Sequence, residues 1–113
     1  MTHQHQQLAA GRWEELSFLE QMANVGSEVE RTIRWKSKNN SDYSRMAFER
    51  GLELLDLTIA DAKNKRHLKE LVRLREILAD YFVFGNEYHS ADENWHNYFY
   101  GFNFAARNKV AAN

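Results

Sequence analysis

Leu16-Ser17-Phe18-Leu19-Glu20-Gln21-Met22-Ala23-Asn24-Val25-Gly26-Ser27-Glu28-Val29-Glu30-Arg31-Thr32-Ile33 carries the clearest periodicity in the chain. Leu16, Leu19, Met22, Gly26, Val29 and Ile33 recur at intervals of three and four, so they share one face of an α-helix. The spacing predicts a helix over residues 13–36. Lys38-Asn39-Asn40-Ser41 then breaks the pattern with a polar turn, and Asn40 or Ser41 is the expected next N-cap.

Working outward, three more periodic segments follow. Residues 42–61 place Phe48, Leu52, Leu55 and Ile59 on one stripe. After a weaker break at Asp61-Ala62-Lys63-Asn64, Leu71, Leu74, Leu78 and Tyr81 form a seam expected to end at Gly85, the residue best suited to a left-handed C-cap. Ser90-Ala91-Asp92-Glu93 has a capping-box pattern, and the helix after it carries Trp95, Phe99, Phe102 and Ala106 inward. Proline is absent and glycine occurs only five times, so little interrupts helix. The expected fold is all-α: an antiparallel up-down-up-down four-helix bundle of one domain, residues 12–110, with polar tails at 1–11 and 111–113. Because the second and third helices are separated by neither Gly nor Pro, their fusion in a swapped dimer is the alternative.

At 113 residues, with 43% hydrophobic and 27% charged residues, the chain suits one folded core. Fifteen basic against sixteen acidic residues give a net charge of −1, so no global field draws it to nucleic acid or anionic membrane. Having no cysteine, the chain can use neither disulfides nor thiolate chemistry, which fits a cytoplasmic location. Met1-Thr2-His3-Gln4-His5-Gln6-Gln7 has no apolar run, so neither a secretory leader nor membrane insertion is expected.

Gly26-Ser27-Glu28-Val29-Glu30-Arg31, Leu52-Glu53-Leu54-Leu55-Asp56-Leu57 and Arg73-Leu74-Arg75-Glu76 resemble a family of short prokaryotic all-helical proteins with no known activity. The resemblance covers residues 13–107 and implies no catalytic motif. In shape alone the chain is similar to small four-helix accessory proteins of ribosomal-RNA insertions and diversity-generating retroelements.

The chemistry-bearing residues point away from catalysis. A carboxylate-bridged metal bundle needs two Glu-x-x-His elements, and only Glu93-Asn94-Trp95-His96 is present. His3 and His5 lie in the tail. Arg66 and His67 are adjacent rather than spaced as in small helical ribonucleases, and His67 falls on the third helix's seam. No enzyme activity, cofactor or metal is therefore expected. On a helical wheel Arg75 falls beside the apolar stripe of its helix, which predicts a buried ion pair with Glu30, or second with Asp56.

Two surfaces could bind partners. Ten of the chain's 15 aromatics lie between Tyr81 and Phe104, more than one inward stripe can bury. Tyr100 and Phe104 point opposite to Trp95, Phe99 and Phe102. Together with Met46 and Leu57 they are expected to form an outward face for self-association or a protein partner, unless the last helix is covered on both sides. The other surface is one end of the bundle, where Arg12, Lys63, Lys65, Arg66, Lys69, Arg107 and Lys109 gather and could hold phosphate. A homo-oligomeric interaction module is the favoured reading, and a nucleic-acid-binding accessory protein is the alternative.

Overall fold

The computed structural model describes residues 11–112, with side chains through residue 107. The chain is all-α, and no strand occurs among the described residues. Residues 11–15 are helical (α1), followed by α2 (Phe18–Ser37), α3 (Ser41–Ala60), a 3₁₀ helix (Ala62–His67), α4 (Leu68–Phe82) and α5 (Asp92–Ala112).

The first predicted helix is thus two. Ser17 stops the α1 turn and restarts the chain through a capping box: its hydroxyl accepts from Glu20 N–H at 3.1 Å, and its own N–H donates to Glu20 Oε1 at 3.0 Å. The break lets α1 fold back until Trp13, 8% exposed, donates its indole N–H to Thr58 Oγ1 at 2.9 Å. Asn40 caps α3, accepting from Tyr43 N–H at 3.0 Å. Asp61 adopts an extended backbone and ends α3, so α3 and α4 do not fuse.

Gln21, Glu28 and Thr32 of α2 face α3: Gln21 bonds Asp61, and Thr32 O accepts from Ser44 Oγ at 2.9 Å. Gly26 and Glu30 face α5, against Phe99 and His96. Serving two neighbours, α2 buries a wider arc than the single predicted seam, adding Gln21, Val25, Glu28 and Thr32 to Met22, Val29 and Ile33. Phe48 meets Phe82 (5.2 Å between ring centroids) and Asp56 meets Arg75, so α3 and α4 run in opposite directions. Between α4 and α5 the space is bridged by aromatics, with Tyr81 6.1 Å from Trp95 and Tyr98 bonded to Glu70.

Two expected caps are corrected. No glycine has a positive φ among the described residues; Asn86 (φ 53°) and His89 (φ 55°) take the left-handed positions after α4 instead of Gly85. Asn tolerates that conformation because its amide bonds locally: Asn86 Oδ1 accepts from Ser90 N–H at 2.9 Å and its Nδ2 donates to Ser90 O at 3.0 Å. This occupies Ser90, and α5 starts instead at Asp92, where Ala91 N–H donates to Asn94 Oδ1 at 2.7 Å. Gly11 is helical and α5 runs on to Ala112, while the rest of the expected polar tails, residues 1–10 and Asn113, lies outside the described residues.

Candidate interaction surface

Phe99 anchors α5. It is fully buried against Gly26, with Trp95 (5% exposed) one turn before it. Tyr98 and Phe102 line the flank of this inner face, 5.4 Å apart, and Phe102 meets Phe18 edge-on at 6.0 Å. Tyr98 donates to Glu70 Oε1 at 3.0 Å; burial first, then the Glu70 charge, raise its phenol pKa. These contacts fix the rotation of α5.

That rotation leaves the other side of the helix in water. Tyr100 is 67% and Phe104 54% exposed, and their rings stack at 6.2 Å with planes 24° apart. Glu93, Asn97 and Arg107 are exposed on the same side. His96 borders the stripe, its Nδ1 2.6 Å from Glu30 Oε1. Single exposed apolar side chains are ordinary; here two aromatic rings stack together on the side of the helix opposite its buried anchor.

The other expected members of this face lie elsewhere. Met46 is exposed on α3 beside Tyr43, whose ring meets Trp35 edge-on at 4.8 Å. It is remote from Tyr100, because α3 and α5 contact different sides of α2. Leu57 is half-buried and packs on the core instead of projecting outward, since α3 must cover both α2 and α4.

Arg75 is not in the core. Its Nε lies 2.7 Å from Asp56 Oδ1, and the two side chains are 41% and 53% exposed. The pair sits on the surface between α3 and α4, and Glu30 bonds His96 instead. The wheel placed Arg75 beside the stripe correctly, but its long stem carries the guanidinium outward over the apolar edge.

At the basic end, Arg12, Lys65, Arg66, Lys69 and Arg107 are exposed. Lys63 is committed internally: its ammonium pairs with Asp61 and donates to Glu14 O at 3.0 Å. The side chain of Lys109 lies outside the described residues. His67 belongs to the 3₁₀ helix, its ring stacked on Phe18 at 4.0 Å.

Sequence reasoning missed a buried polar network beneath this end. Gln21 Nε2 donates to Trp13 O and to Asp61 Oδ2, both at 2.8 Å; Asn64 Nδ2 donates to Gln21 Oε1 at 2.7 Å and to Thr58 O at 2.9 Å. Burial acts to raise the Asp61 carboxyl pKa, but hydrogen bonds from Lys63 and Gln21 outweigh it and hold it below its ordinary value. The signal was present: Phe18, Gln21, Val25, Glu28 and Thr32 form a second helical stripe whose polar members disguise it.

Open grooves also mark the described surface. One, of about 610 Å³, lies over Phe48 and Phe82 and is rimmed by Lys36, Ser44 and Arg45. Another, of about 710 Å³, lies beside Val72 and Phe84. Two of its carboxylates hold the loop after α4: Asp80 accepts from Glu87 and Tyr88 N–H at 2.8 and 3.1 Å, and Glu76 from the Tyr88 hydroxyl at 3.2 Å. Among the described residues no three His, Asp or Glu side chains converge as metal ligands, and no helix is long and apolar enough to cross a membrane. No family model matches the chain, and neither a curated protein nor a solved structure matches it.

Proposed function

We propose that this chain is a non-enzymatic, cytoplasmic interaction module, an antiparallel up-down-up-down four-helix bundle that self-associates and docks a protein partner through α5. The opposed α3–α4 pairing and the α2 contacts on both sides support the bundle reading. The observation that carries the function is the stacked, outward Tyr100–Phe104 pair. Burying one such side chain is worth roughly 1.5–3 kcal/mol, and tyrosine can bury its ring while its hydroxyl meets a polar rim. The test is a Tyr100→Ser, Phe104→Ser double variant followed by circular dichroism and light scattering. Unchanged helicity with a smaller particle mass is expected; an unchanged mass overturns the reading.

A second reading, a nucleic-acid-binding accessory protein, draws on the exposed Arg12, Lys65, Arg66, Lys69 and Arg107. Phosphate contacts release counterions, so RNA binding that weakens steeply with salt and with Arg66→Ala, Lys69→Ala would favour it.

A further inference from the structure

We infer that the partner of the α5 stripe is the α5 of a second copy, lying antiparallel about a two-fold axis that passes at Tyr100. The inference rests on the self-association reading and gives it a geometry. In such a pair, residues equidistant from the axis face one another. Glu93 stands seven positions before Tyr100 and Arg107 seven after, and both are exposed on the same side of the helix. Each therefore meets the other's counterpart, giving two opposite-charge pairs, one on either side of the axis. A parallel pairing would set Glu93 against Glu93 and Arg107 against Arg107, so the charges select the antiparallel arrangement.

Both charges are free to do this, because neither forms an ion pair or side-chain hydrogen bond with another described residue. The aromatics obey the same symmetry. Tyr100 faces its own copy across the axis. Phe104, four positions after it, faces His96, four positions before, and Glu30 already holds that ring in place. From Glu93 to Arg107 the contact spans roughly 21 Å at 1.5 Å per residue. One helix pair buries less than the roughly 1,600 Å² of a standard interface, so the dimer is weak and concentration-dependent.

Sedimentation velocity of the full chain at low salt tests the pairing. Glu93→Arg and Arg107→Glu each create two like-charge pairs and should weaken dimerisation about tenfold. Mixing the two variants restores both pairs across a heterodimer, so the mixture should associate as the wild type does. Because the chain has no cysteine, Tyr100→Cys gives an independent readout. Two such residues on the axis lie within disulfide reach and should cross-link on mild oxidation, while Tyr43→Cys on α3 should not. A wild-type dimer that tolerates both charge reversals, or a Tyr100→Cys variant that still dimerises in sedimentation yet stays uncross-linked, overturns the pairing and leaves self-association standing. A wild type monomeric up to millimolar concentration overturns self-association itself. Circular dichroism confirms that each variant is folded.

Discussion

Gly26 of α2 and Phe99 of α5 approach so closely that a Cβ built on the glycine would lie 2.8 Å from Phe99 Cβ and Cδ1. The phenylalanine is fully buried, and its Cβ belongs to the helix itself. That Cβ cannot swing aside without moving α5. Glycine in mid-helix ordinarily costs roughly 0.5–1 kcal/mol relative to alanine. Here that cost is offset by a close helix–helix contact. Gly26→Ala should therefore destabilise, by about 1–2 kcal/mol, as overpacking outweighs the gain in helix propensity. Gly101→Ala, with nothing within 4 Å of its Cβ position, should stabilise by about 0.5–1 kcal/mol. Denaturant melts of the two variants in dilute solution check the opposite signs.

The Gln21–Asp61–Asn64 network ties α1, α2, α3 and the 3₁₀ helix at one point. Gln21→Leu leaves Asp61 Oδ2, Asn64 Nδ2 and Trp13 O each short of a partner in a buried place. A loss of about 2–4 kcal/mol is expected. The pH dependence has a definite sign. The Asp61 pKa is depressed on folding, so its contribution is complete above the ordinary carboxylate range. It is lost as pH falls through the depressed folded value. Asp61→Asn should lower stability at neutral pH and flatten the acid limb, read from denaturation midpoints between about pH 6 and pH 2.

Arg75→Ala separates a surface pair from a buried one. Breaking a buried pair costs roughly 3–5 kcal/mol, whereas an exposed pair contributes about 0–1 kcal/mol. With Arg75 and Asp56 about half exposed, the substitution should cost less than about 1 kcal/mol. A larger loss in a urea melt would put the guanidinium in the core after all.

The sequence made the helices legible because their signals are local and repeated: periodic leucines, no proline, and a polar turn at Lys38–Asn40. The outward placement of Tyr100 and Phe104 was equally legible, since rotation about one helix axis follows from Trp95 and Phe99 alone. What escaped depends on partners distant in sequence. Ser17 reads as an ordinary helix residue until Trp13 is seen to reach Thr58. Gln21 and Asn64 look like surface polar residues until they meet across α2 and the 3₁₀ helix. Gly85 was the obvious terminator of α4, yet Asn86 takes the left-handed position because its amide can clasp Ser90 on both sides. Leu57 and Arg75 depart from the wheel for a related reason: a one-stripe wheel does not know how many neighbours a helix has, nor how far a long side chain reaches.

Tyr81 provides a pH prediction at the alkaline extreme. Its hydroxyl donates to Asp92 Oδ1 at 2.5 Å, linking α4 to the first turn of α5. Burial first, and then that carboxylate, push its pKa up to about 12 from an ordinary value of 10. The folded state therefore holds the phenolic proton more tightly than the unfolded chain does. A raised pKa contributes stability that is complete below the unfolded value and lost as pH climbs through the folded one, here between about pH 10 and pH 12. Tyr98, raised in the same direction by burial and Glu70, adds to the fall. Tyr81→Phe should cost about 0.5–1.5 kcal/mol at neutral pH, one hydrogen bond's worth. Its stability should then decline less steeply above pH 10 than that of the wild type. Subtracting the two denaturation series removes the lysine titration common to both. Parallel curves would show that Tyr81 ionises as freely in the folded protein as in the unfolded one, and that the Asp92 bond does not latch α5 to α4.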